Sequence, residues 1–152
     1  MKTIIRFFVL LTLVFTAGSC THNNGDIGPL FGYWRLDEMT VDGTPENLYD
    51  NTGVELYAFA FQSNVMYIQT MLPHLDYERA FGTWTLDGDV MQWHFRWTDD
   101  NKYANYDEPE ALKLDPSGLT TLRVLRLTSS HLDVEYTDTE GQLIRYYLSK
   151  TK

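Results

Sequence analysis

Few residues in this 152-residue chain have the type and spacing that chemistry requires. There is one cysteine, Cys20, so an intramolecular disulfide and a Cys-based zinc or iron–sulfur site are both excluded. The four histidines, His22, His74, His94 and His131, show no His-X-X-X-His or His-Glu pairing, and none has a spacing that singles out a metal. Asp99, Asp100, Asp107, Glu108 and Glu110 form an acidic cluster, but it lacks the glycine turn of a calcium loop and reads as a solvated segment. No Gly-X-Ser-X-Gly turn supplies an activated nucleophile, and no glycine-rich cradle awaits a phosphate. The expectation is a protein that binds without catalysing, with no cofactor and no catalytic residue.

Cys20 gains its meaning from what precedes it. Lys2 and Arg6 supply positive charge, Ile4 to Phe15 form an apolar run, and Ala17-Gly18-Ser19 are small enough for a peptidase groove. That is an export signal, and its apolar run is shorter than the roughly 20 residues a membrane-spanning helix needs. Cleavage after Ser19 makes Cys20 the first mature residue, an arrangement that resembles the lipobox of bacterial lipoproteins. The resemblance implies a diacylglycerol on the thiol and a further acyl chain, such as palmitate, on the freed amine. Two or more chains anchor stably where one does not. The expected location is the bacterial outer membrane, facing either the periplasm or the surface.

The 133 residues from Cys20 onward carry 10 basic and 21 acidic side chains. Such a balance opposes contact with nucleic acid and with anionic head groups, so the membrane is expected to be reached through the lipid alone. Residues 1–19 read as the signal peptide and residues 20–30 as a polar, glycine-bearing flexible tether. Residues 31–152 then form one domain with a single core.

That domain is a succession of short stretches rich in β-branched and aromatic residues, each closed by Gly, Asn, Asp or Pro. Strands are expected near Gly32–Val41, Leu56–Gln62, Val65–Met71, Glu78–Leu86, Val90–Trp97, Thr120–Leu127, His131–Thr137 and Leu143–Ser149. Short turns at 62–65, 86–89 and 137–142 make sequence neighbours antiparallel. Thr98 to Gly118 is the long exception, with a helical turn expected around Pro109–Leu112, and loops of this length are often lids. Eight antiparallel strands in sequence order close into an up-and-down β-barrel with no exposed edge, wide enough for side chains alone or for one small ligand.

Several motifs also resemble a family. Gly32-Tyr33-Trp34 at the first strand is similar to the Gly-X-Trp of lipocalins, and the stretch from Asn24 to Trp34 resembles the start of lipocalin-like lipoproteins of Bacteroidetes-type bacteria. Phe61-Gln62-Ser63-Asn64-Val65, Gly82-Thr83-Trp84 and Tyr146-Tyr147-Leu148 extend the likeness over nearly all of the mature chain, although the Thr-Asp-Tyr motif of lipocalins is missing. The resemblance implies a lipid-anchored, all-β lipocalin-like barrel whose Trp34 closes the floor.

Phe31-Gly32-Tyr33-Trp34-Arg35-Leu36-Asp37 returns as Phe81-Gly82-Thr83-Trp84-Thr85-Leu86-Asp87. In both copies a glycine lets the backbone bend while the following tryptophan fills a barrel end. Arg145 in the last strand is the expected cation over Trp34, with Arg123 and Arg126 as rivals. Alternation puts Met91, Trp93, Phe95 and Trp97 on one face. With Tyr57, Phe59, Tyr67, Met71, Tyr136 and Tyr147 they either line a cavity for a small hydrophobic ligand or simply fill the barrel; Phe81 is a further candidate. The alternative reading is an envelope lipoprotein that stacks exposed rings on a glycan or a partner.

Overall fold

The computed structural model describes residues 28–74, 77–98 and 109–151, with the backbone alone at 77–79 and 98. Cys20, His22, the leader and most of the tether lie outside the described residues, as does the stretch 99–108. The strands are β1 (Gly32–Val41), β2 (Thr44–Pro45), β3 (Leu56–Gln62), β4 (Val65–Met71), β5 (Tyr77–Asp87), β6 (Val90–Thr98), β7 (Leu119–Leu127), β8 (His131–Thr137) and β9 (Leu143–Lys150). Every neighbouring pair is antiparallel, and β1 pairs with β9 to close the sheet. Eight strands therefore form the barrel, as the turn spacing predicts. The short β2 is an addition: Asp42 and Gly43 both take positive φ, and this two-residue Asp-Gly turn folds Thr44 back onto Val41. Ahead of β1, Gly28–Leu30 forms a short 3-10 turn with Leu30 buried.

The interior is built from alternate side chains. Trp34, Phe59, Phe61, Met66, Ile68, Met91, Trp93, Leu132, Val134, Ile144 and Tyr146 have no accessible surface. Trp93 is the hub, with ring centroids 5.2 Å from Phe59, 5.8 Å from Tyr146 and 6.5 Å from Phe61. Dense ring packing of this kind adds to the apolar area removed from water.

Three bulges decide which parity faces inward. The registers of β1 with β9, β6 with β5 and β7 with β8 each shift by one residue, at Asp37, Arg96 and Leu125. An extra residue moves every later side chain to the opposite face. Buried Leu36 is thus followed by buried Met39. Trp97, expected beside Phe95 in the lumen, points outward and is 54% exposed. Gly82 faces the β6 bulge with its backbone pressed on the neighbouring strand, where a Cβ would lie 2.0 Å from the His94 carbonyl oxygen.

The barrel floor differs from expectation in one partner. Trp34 is fully buried and donates its indole N–H to the Leu30 carbonyl at 2.7 Å. Its cation is Lys150, whose Nζ lies 5.2 Å from the ring centroid and donates to the Pro29 carbonyl at 2.7 Å. Arg145 does not approach it, because the β1–β9 register sets Lys150 opposite Trp34 and Arg145 opposite Thr40. Trp84 is half-buried at the same end, edge-on to Phe61 at 5.6 Å.

Arg145 belongs instead to an ion-pair row on the outer face. Register aligns Arg123, Glu135 and Arg145 across β7, β8 and β9. The Arg145 Nε donates to one Glu135 carboxylate oxygen at 2.6 Å and Arg123 donates to the other. The Arg123 bonds first, then those of Arg145, hold the Glu135 carboxyl below the usual glutamate range. A carboxylate with a lowered folded-state pKa contributes stability above its unfolded value and loses it as pH falls through the folded one. Glu135→Gln is therefore expected to melt a few degrees lower at pH 7 and to be less sensitive to acid below about pH 4.5 than the parent. Thermal melts at pH 7 and pH 3 check this; parallel losses in both proteins would contradict it.

Candidate functional site at the barrel mouth

The end opposite Trp34 is the mouth, and two segments cover it. The first is the part of the 98–118 connection that is described. Glu110–Leu112 forms one 3-10 turn, and Lys113 then takes a left-handed conformation at φ 50° that reverses the chain. This reversal drives Leu112 (0% exposed) and Leu114 (4% exposed) into the core cluster. Two tyrosines hold the segment from below: Tyr146 donates its hydroxyl to the Leu112 carbonyl at 2.8 Å, and Tyr136 donates to the Lys113 carbonyl. Their rings are stacked, 6.3 Å apart and 5° from parallel. Burial pushes the Tyr136 phenol up to about 12, so it remains a donor at neutral pH. The segment is closed off by Asp115, whose backbone N–H donates to the Thr120 hydroxyl, and by Gly118, whose carbonyl accepts from the Phe95 N–H at 2.8 Å.

The second cover is the loop between β2 and β3. Leu48 is buried, and Tyr49 packs 6.0 Å from Tyr57 while donating its hydroxyl to the Leu36 carbonyl. Burial raises the Tyr49 phenol to about 12 as well.

Of the ten residues expected to line a cavity, six point inward and are buried: Tyr57, Phe59, Met91, Trp93, Phe95 and Tyr136. Tyr67, Met71 and Tyr147 stand at outward positions of β4 and β9, where the burial pattern alternates, and Trp97 is turned outward by the bulge. Sequence reasoning missed Leu112, Leu114 and Tyr146 as parts of the mouth, and also Thr70. Thr70 is 3% exposed, opposite Tyr57 on the neighbouring strand, and its hydroxyl has no hydrogen-bond partner among the described residues. The regular alternation of Ile144, Tyr146 and Leu148 was the available signal for Tyr146.

A cavity of about 230 Å³ opens between the 110–118 segment and the β8–β9 turn, lined by Lys113, Leu114, Pro116, Tyr136, Asp138 and Gln142 among others. It is smaller than the roughly 300–1,000 Å³ of ordinary small-molecule sites. Among the described residues no three His, Asp or Glu side chains stand close enough to hold a metal ion, and no helix is long and apolar enough to cross a membrane.

No family model matches the chain, and no curated protein does. Two solved structures share its fold. A lipocalin-like protein from Bacteroides uniformis is 22% identical and superposes with a TM-score of 0.56, over 82% of this chain and all of that one. An uncharacterized protein from Bacteroides eggerthii is 20% identical with a TM-score of 0.61, over 80% of this chain and 99% of that one. The chain thus has a lipocalin-like barrel fold.

Proposed function

We propose that this protein is a lipid-anchored, non-catalytic binding protein of the bacterial outer membrane that accepts a small apolar molecule at the barrel mouth. The observation that carries the reading is the lid: Leu112 and Leu114 occupy the mouth as a ligand would, on two tyrosine hydroxyls. A molecule with an apolar body and one carbonyl or carboxylate oxygen can replace the leucines and take over the hydroxyls of Tyr136 and Tyr146. The Thr70 hydroxyl, without a partner among the described residues, offers a further polar contact inside the lumen. The seam beside Pro116 and Gln142, where a cavity already exists, is the route of entry. The anchor follows from the Cys20 leader, and fold likeness raises the prior for carriage without identifying the cargo.

Native mass spectrometry of the protein purified from its own envelope tests this reading. The expected spectrum shows acyl chains on Cys20 and a co-purifying small apolar molecule that dissociates without unfolding the chain. Bare protein from every preparation, together with binding on a glycan array, would overturn it in favour of the surface reading.

A further inference from the structure

The outside of the barrel has two unlike flanks. Over β7 to β9 it carries the Arg123–Glu135–Arg145 row and an Arg126–Asp133 pair. Over β1, β3, β4, β5 and β6 two uncharged lines of side chains, one of them rich in aromatic rings, run beside exposed Arg35 and Arg96. Register places Tyr33, Ala60, Tyr67, Phe81 and Trp97 in one line across these five strands. The adjacent line runs through Gln62, Val65, Thr83, His94 and Leu119. Neither line contains Asp, Glu, Lys or Arg, in a chain of net charge −9. Phe31, Tyr33, Val65, Trp97 and Leu119 are between 43% and 54% exposed. Beneath them Ala60 is fully buried between the Tyr33 and Tyr67 strand positions, whose rings meet edge to face at 6.0 Å with their hydroxyls hydrogen-bonded.

An exposed aromatic patch of this extent marks an interaction surface. The inclination of its rings narrows the partner. Tyr33 and Tyr67 are 78° apart and Tyr67 and Phe81 39° apart, which makes a knobbed ridge unlike the flat platform on which sugar rings stack. Phenol and indole rings free of charge are the side chains that concentrate in the head-group layer of a bilayer. The chain's own path supplies the second argument. Phe31 lies eleven residues after Cys20, so at most about 38 Å of extended chain separates the patch from the expected acylation site.

We infer that this aromatic flank docks on the bilayer into which the acyl chains insert, with Phe31, Tyr33, Val65 and Trp97 in the head-group layer. The inference rests on the anchor at Cys20 for proximity and not on the ligand reading. The anchored domain would lie on its side, keeping the charged flank and the mouth turned to water.

Trp97 is the most exposed of the four tryptophans: Trp34 and Trp93 are fully buried and Trp84 is half-buried, so the difference between the parent and Trp97→Phe isolates its signal. The acylated full chain is reconstituted into phosphatidylcholine vesicles with and without acyl-chain bromination, and tryptophan emission is compared. About two-fold quenching by the brominated lipid is expected, lost in Trp97→Phe, and reduced in Phe31→Ser/Tyr33→Ser at an unchanged acyl mass and melting temperature. Equal emission in both vesicles with Trp97 open to aqueous acrylamide would overturn docking. So would protection of Trp97 off the membrane by dimerisation, or by a soluble glycan. Absence of acyl chains by mass spectrometry would refute the anchor by itself; the unmodified chain added to the same vesicles then decides docking by the same quenching.

Discussion

Trp93→Ala is expected to destabilise the barrel by about 3–5 kcal/mol, the range for removing a large ring from a packed core. The ring has no accessible surface and meets Phe59, Phe61 and Tyr146 within 6.5 Å. Its N–H faces the Met91 sulfur at 3.0 Å, so truncation also removes that polar contact. The neighbours come from β3 and β9 as well as β6, and closed strands cannot all move inward to fill the space. Domains of this size are stable by only about 5–15 kcal/mol, so the variant should lose a large share of its stability. Urea unfolding checks it, with a lower midpoint and an unchanged slope. A loss below about 1 kcal/mol would mean that the lumen is not packed around this ring.

The strand order and the identity of most core residues are legible in the sequence because antiparallel neighbours joined by short turns leave few topologies. Alternation locates Met91, Trp93 and Phe95 correctly within their strand, while in Leu56–Gln62 both faces are apolar and alternation alone leaves open which one lines the lumen. It fails where a bulge intervenes, since one added residue reverses parity with no change in composition; Trp97 is the example. Gly82, repeated as the partner of Gly32, was the trace of that bulge, for a glycine with no room for a Cβ marks close approach of a neighbouring strand. The error over Trp34 has a different source. Pairing of the first and last strands was foreseeable, but their stagger is a property of the closed barrel, and it selects Lys150 over Arg145. The lid leucines escaped notice because Leu112 and Leu114 stand in a polar stretch with no helical or strand period. Their burial depends on the left-handed Lys113 and on two tyrosines from distant strands.

Tyr136→Phe combined with Tyr146→Phe is expected to produce the largest functional change. The substitutions keep both rings and remove two hydroxyls that hold the lid carbonyls of Leu112 and Lys113. A hydrogen bond of this kind contributes about 1 kcal/mol net, and each loss also leaves a carbonyl without its donor while the lid is closed. Together they shift the lid toward opening by about 2 kcal/mol, roughly thirty-fold. An open lid withdraws Leu112 and Leu114 and exposes an apolar mouth, at little cost to strands that the lid does not hold together.

The direct measurement is titration with diphenylhexatriene, a fluorescent hydrocarbon with no oxygen to take up the tyrosine hydroxyls, of the parent protein and of this double variant. Tighter binding by about an order of magnitude or more in the variant, with a barrel melting transition close to the parent's, is the result expected of a displaceable plug. Equal dye affinity in the two proteins would show that the leucines are a permanent part of the core and that the mouth does not open.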